Sequence, residues 1–171
     1  YDNIRTAAEW EEVEALTISW TSFPCIQKQI VAGAQNECLV IVFADDPSEA
    51  ESYLTGNSCG GALTMENVQI VETEYNTIWI RDYAPFILRY DDDRALMVDA
   101  KYHTRTMREK RKQDDYMGFE LARFLDLPVR SIPLVLEGGN FISNGDGLLL
   151  TSSKTLAVNK EAEYSHNQLI S

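Results

Sequence analysis

The sequence predicts an α/β chain assembled from repeating units of roughly ββαβ, not a dinucleotide-binding domain. Three observations carry this. Strand-like and helix-like stretches follow one another along the whole of the 171 residues. The run Leu39-Val40-Ile41-Val42-Phe43 is continuously apolar, the pattern of a strand covered on both faces. Beyond it the strict alternation loosens into hairpin, helix, strand and hairpin, and no Gly-x-Gly-x-x-Gly opens a helix after a strand.

Each element has a local reason. Tyr1 to Glu14 is polar and charged and reads as a solvated lead-in. Ala15 to Trp20 alternates well enough for a first strand. Pro24 can open a helix at its first position, Ile26, Ile30 and Ala34 share one face of it, and Gly33 with Asn36 weakens or ends it. Cys38 to Phe43 is the next strand. Asp45 or Asp46 can cap a helix with Pro47 in its first turn and Glu49 and Glu51 near its positive end. Asn57 to Gly61 is a loop by composition, and Val68 to Val71 a short strand.

The stretch Thr77-Ile78-Trp79-Ile80-Arg81-Asp82-Tyr83-Ala84-Pro85-Phe86 then reads as a strand ending at a charged pair, with Pro85 limiting any further ladder. Phe86 to Tyr90 and Ala95 to Val98 form a hairpin around Asp91-Asp92-Asp93. Lys101 to Lys112 is the basic tract of an acidic chain. Its charge opposes the dipole of the helix that follows, which places most of it in a loop. Asp114 or Asp115 caps that helix, with Tyr116, Phe119, Ala122 and Leu125 as its apolar face, and Pro128 ends it. Ser131 to Leu136 is a strand running into Glu137. Phe141-Ile142 and Leu148 to Leu150 flank Asn144-Gly145-Asp146-Gly147 as a second hairpin. Thr155 to Val158 is a short strand, after which Asn159 caps a helix through Glu161, Glu163 and Tyr164.

One domain is the default at this length, with 44% hydrophobic residues to fill its core. A net charge of −12 excludes nucleic acid as a natural partner and favours encounter with cationic ligands, although such charge also serves solubility. Cys25, Cys38 and Cys59 are an odd set without Cys-x-x-Cys spacing, so they neither all pair internally nor form a zinc site. Cys59 beside Gly60-Gly61 has no base near it in sequence, and an inert thiol is the stronger reading. His103 and His166 lack metal-ligand spacing, so neither a metal nor another cofactor is expected. No apolar run is long enough for a membrane-spanning helix. The chain begins at Tyr1 without an initiator Met, which leaves a removed leader and the compartment open between secreted, periplasmic and cytoplasmic.

Two stretches carry the chemistry. Trp79 offers a π-face and Asp82, three residues on, a two-oxygen acceptor, a combination suited to a flat cation. The competing reading makes Arg81 and Asp82 a structural ion pair. The second stretch is Leu136-Glu137-Gly138-Gly139-Asn140-Phe141. Together with Glu9-Trp10-Glu11 and Ile18-Ser19-Trp20, in that order along the chain, they resemble the agmatine deiminase and Porphyromonas-type peptidylarginine deiminase family of guanidino-group-modifying enzymes. The resemblance implies a partial pentein, an α/β propeller of ββαβ units, with residues 1–171 forming about half of it as the N-terminal portion of a single catalytic domain.

The resemblance also assigns roles. Asp82 corresponds to the carboxylate that binds the guanidinium, Trp79 to a wall of the pocket, and Glu137 to the acidic residue that orients a catalytic histidine. Gly138 and Gly139 allow close backbone approach, and Asn140 helps shape the pocket. Arg105, with Arg108 next, matches the arginines that bind the carboxylate of a peptide ending in arginine. This favours peptidyl-arginine over agmatine as substrate. The family's Gly-x-His-x-Asp motif and late cysteine have no match here. The resemblance therefore implies a chain that grips substrate without the nucleophile or base, inactive alone and partnered by a missing C-terminal half or by a second copy. A non-catalytic binder of guanidinium cations and a domain without a ligand are the other two readings.

Overall fold

The computed structural model describes residues 4–92, 94–102, 109–160 and 165. The chain divides into two compact units, Glu12–Ile80 and the residues up to 11 together with those from 81 onward.

The unit Glu12–Ile80 is a three-stranded parallel sheet in the order β2 (Ala15–Ser19), β3 (Leu39–Ala44), β4 (Val68–Glu72), with helices Pro24–Ala34 and Pro47–Thr55 as crossovers. Val40 to Ala44 are buried, as the continuous apolar run requires. Val40, Val42 and Ala44 pack with Ile18, Trp20, Val31, Ala50 and Leu54. Asp46 caps the second helix, its Oδ1 accepting from the N–H groups of Ser48 and Glu49 at 2.9 and 3.0 Å.

Helix Pro24–Ala34 begins at the expected proline but turns a different face inward. Ile26 and Ile30 are 58% and 47% exposed, and Gln27, Lys28 and Val31 are buried instead. Lys28 Nζ donates to the carbonyls of Tyr53 (3.0 Å) and Gly56 (2.6 Å). These lie at the C-terminal end of helix Pro47–Thr55, where carbonyls lack in-helix partners and the dipole is negative. Gln27 Nε2 donates to the Ser19 carbonyl at 2.6 Å. Satisfying these carbonyls rotates the helix against its apolar pattern. Cys25 and Cys59 form a disulfide that ties the first turn of this helix to the loop after the second, leaving Cys38 as a free thiol.

The other unit has a four-stranded sheet in the order β1 (Ile4–Thr6), β5 (Phe86–Tyr90), β6 (Ala95–Lys101), β7 (Val129–Val135). The predicted β5–β6 hairpin forms, and β7 joins β6 in parallel through helix Lys112–Leu125. The lead-in is not wholly irregular, since Ile4–Thr6 pairs with β5. β8 (Phe141–Ser143) and β9 (Leu149–Thr151) form the second hairpin.

Four expectations are corrected in this half of the chain. Thr77 to Arg81 is not a strand: Ile80–Tyr83 is one turn of helix, and two apolar–polar pairs were too short to fix the period. The side chain of neither Asp114 nor Asp115 caps helix Lys112–Leu125, whose N-cap is Arg111. Asp115 Oδ1 instead accepts the Tyr102 N–H at 2.6 Å. The same helix buries Met117, Gly118, Leu121 and Ala122, leaving Tyr116 and Phe119 exposed, because Gly118 lets it approach β6. A Cβ on Gly118 would stand 2.4 Å from Asp99 Oδ1. Finally, Thr155 to Val158 belongs to helix Ser153–Lys160, with Asn159 inside it and not at a cap. Ser152 starts that helix, accepting from the N–H groups of Lys154 (3.3 Å) and Thr155 (3.1 Å). Glu161, Glu163 and Tyr164 lie outside the described residues.

Candidate active site

The site is built where the turn Ile80–Tyr83 meets the 3₁₀ turn Gly138–Asn140. Asp82 Oδ1 accepts the Gly139 backbone N–H at 3.1 Å, a charge-assisted bond between residues 57 positions apart. The contact depends on missing side chains. A Cβ on Gly138 would lie 2.1 Å from the Arg81 carbonyl oxygen, and one on Gly139 would lie 2.3 Å from Asp82 Oδ1. Glycine is used here for close approach of two backbones.

Arg81 and Asp82 are not a mutual ion pair. Arg81 Nη2 donates to Glu9 Oε1, which draws the lead-in segment to the turn that carries Asp82. Glu11, two residues further, accepts both guanidinium N–H groups of Arg5 (2.7 and 2.9 Å) and the Ala8 N–H (2.7 Å). The Arg5 hydrogen bond, reinforced by the Ala8 amide, holds the Glu11 carboxyl down at about 2. Glu9 and Glu11 were legible only as parts of the Glu9-Trp10-Glu11 resemblance.

Behind the turn, buried Tyr83 stacks edge-on against Tyr102, ring centroids 5.4 Å apart. The Tyr102 hydroxyl accepts from Arg111 Nη1 at 2.6 Å. Burial pushes this phenol up to about 12, with Arg111 pulling the other way and the Asp82 charge adding to the rise. It stays protonated at neutral pH and is a fixed dipole beside Asp82, not a base. Tyr102 and Arg111 were not singled out from sequence, and no motif marks them.

Glu137 precedes the glycine pair, is half-buried, and accepts the Asn140 N–H on its carbonyl at 2.9 Å. Asn140 spends its side chain within the protein. Its Nδ2 donates to Thr155 Oγ1, and its Oδ1 accepts the Ser152 N–H at 3.2 Å. It shapes the turn without offering a free amide. Asp82, Glu137, Gly138, Gly139 and Asn140 are thus gathered in one unit. Trp79 is 54% exposed and belongs to the unit Glu12–Ile80. Arg105, Arg108, His103 and His166 lie outside the described residues. Among the described residues no three His, Cys, Asp or Glu side chains cluster as a metal site.

The sequence model of the Porphyromonas-type peptidyl-arginine deiminases matches residues 5–170, and the chain belongs to that family. A protein of Shewanella sp. (strain W3-18-1) named "Putative agmatine deiminase" is 24% identical over 98% of this chain and 48% of its own length. Among solved structures, a C. jejuni agmatine deiminase with substrate bound is 21% identical and superposes with a TM-score of 0.79 over 98% of this chain and 51% of that one. The agmatine deiminase of Enterococcus faecalis is 17% identical, with a TM-score of 0.79 over 97% and 48%. The chain therefore has the pentein fold of those enzymes over about half of their length.

Proposed function

We propose that this chain supplies the guanidinium-gripping part of a deiminase that converts peptidyl-arginine to peptidyl-citrulline and ammonia. The Asp82–Gly139 contact is the observation that carries the reading. One carboxylate oxygen on a backbone N–H fixes the plane of the group, and the other is left to accept from a guanidinium N–H. In the reaction a thiolate adds to the guanidinium carbon, ammonia leaves, water adds to the thiouronium, and the thiolate is expelled as the ureido product forms. Glu137 is the candidate to orient the histidine that moves the protons. The Gly-x-His-x-Asp motif and the late cysteine that the resemblance implies have no match in residues 1–171, and we therefore assign the thiolate and that histidine to residues other than these. Cys25 and Cys59 are joined in a disulfide, and the free thiol Cys38 belongs to the unit Glu12–Ile80, not to the one that holds Asp82.

Agmatine is the second reading, favoured by the names of the relatives, and the Asp82 grip serves both guanidinium groups alike; peptidyl-arginine is preferred on the match of Arg105 alone. Calorimetry of the chain with agmatine and with a peptide ending in arginine tests both. Asp82→Asn is expected to weaken binding by about 2–4 kcal/mol, the cost of unpairing a charge-assisted contact. Unchanged affinity overturns the site. In the full-length enzyme, faster ammonia release from agmatine than from the peptide, indifferent to Arg105→Ala, selects agmatine.

A further inference from the structure

Helix Ser153–Lys160 carries a fully buried asparagine that the chemistry above does not use. Asn159 is 1% exposed, and its amide is fully engaged. Its Oδ1 accepts the Val135 N–H at 2.8 Å, and its Nδ2 donates to the carbonyls of Val135 (2.7 Å) and Thr155 (2.9 Å). The side chain thus supplies the donor and acceptor that a neighbouring strand would give to β7, which is the edge of its sheet. On the other side, the Leu136 N–H donates to the Lys101 carbonyl at 3.2 Å. The end of β7 is held from both edges immediately before Glu137.

One helical turn earlier on the same face stands Thr155. Its hydroxyl accepts from Asn140 Nδ2 and lies 3.0 Å from Thr151 Oγ1, which donates to the Asn140 carbonyl at 2.8 Å. The segment from Val135 to Asn140 is therefore gripped at both ends by residues four apart on one helix. Between the grips lie Glu137 and the Gly139 N–H that holds Asp82.

We infer that Asn159, seconded by Thr155, is a positioning residue of the guanidinium site, setting the Gly139 amide against Asp82. An apolar side chain would dock the helix as well, but it would leave the Val135 donor and acceptor unpaired and the strand end free to shift. A hydrogen bond at 3.1 Å tolerates little of that movement.

The test reads the Gly139 amide directly, by nitrogen-15 NMR. In the wild type its proton is expected to exchange slowly and to lose that protection in Asp82→Ala, which removes the acceptor. Asn159→Ala should reproduce the loss, with Gly139 exchange at least about tenfold faster while amides of β5 and β6 keep their protection. Agmatine or a peptide ending in arginine should then bind about tenfold more weakly. Should Asn159→Ala not fold, Thr155→Val decides by the same amide, since it removes the hydroxyl that Asn140 and Thr151 share and leaves the backbone of the helix intact. Wild-type exchange at Gly139 in the folded variant overturns the inference. The ligand arm rests on the function proposed above, and the amide arm does not. A wild-type chain that binds neither ligand refutes the function alone, and Gly139 still reports on Asn159.

Discussion

Replacing Gly138 by alanine is the sharpest perturbation of the site. The added Cβ would stand 2.1 Å from the Arg81 carbonyl oxygen, where ordinary contact begins at 3.4 Å. Both partners are main chain, so no rotamer change relieves the overlap, and the two turns must part by more than an ångström. Overpacking of this kind costs about 1–3 kcal/mol. Parting also stretches the Gly139–Asp82 bond past its useful range, adding roughly 1 kcal/mol at a partly solvated position. The expected loss is about 2–4 kcal/mol, or about 4–16 °C in melting temperature for a protein of this size. Gly139→Ala is the contrast. Its Cβ meets only a carboxylate oxygen, at 2.3 Å, which can swing aside. It should cost less than about 1 kcal/mol in stability yet weaken guanidinium binding as Asp82→Asn does. Urea denaturation of the variants, paired with calorimetry, measures both. Equal stability of Gly138→Ala and wild type, or a larger loss in Gly139→Ala, refutes the reasoning.

Other outcomes follow from the same geometry. Gly33 sits in a helix where an added Cβ would meet no atom within 4 Å, so Gly33→Ala should stabilise by about 0.5–1 kcal/mol in a urea melt. Opening the Cys25–Cys59 bridge, which closes a loop of 34 residues, should lower stability by about 3–4 kcal/mol, seen by comparing denaturation with and without a dithiol reductant. Lys28→Met leaves the Tyr53 and Gly56 carbonyls without their ammonium donor and should cost about 2–3 kcal/mol in the same assay. Glu11 has a carboxyl lowered on folding from 4.5 to about 2 by Arg5 and Ala8. Its contribution is complete above about pH 4.5 and fades as pH falls through about 2. The stability gap between wild type and Glu11→Gln should therefore be constant near neutrality and close in acid.

What the sequence made legible was what local chemistry decides. The run Leu39 to Phe43 marked a central strand, Pro24 and the pair Asp45-Asp46 marked helix starts, of which Asp46 is the cap, and the strands on either side of the acidic turn after Tyr90 pair as a hairpin. The misread faces have tertiary causes. Lys28 turns its helix toward carbonyls 25 and 28 residues away, and Gly118 admits β6 at a point where periodicity favoured Phe119. Thr155 and Val158 carry β-branched side chains suited to a strand, but Ser152 starts a helix there and Asn159 binds it to β7. The core of the site was beyond any spacing rule, since Asp82 and Gly139 are 57 residues apart and Arg81 and Glu9 are 72 apart. Those residues could be grouped only through the resemblance of the motifs that contain them.

A crystal structure of the chain grown with agmatine or a peptide ending in arginine tests the central claim most directly. A guanidinium is expected against Asp82, with an N···O distance of about 2.7–2.9 Å to the oxygen that Gly139 does not hold. A ligand bound elsewhere, with Asp82 still on Gly139 and uncontacted, would contradict it.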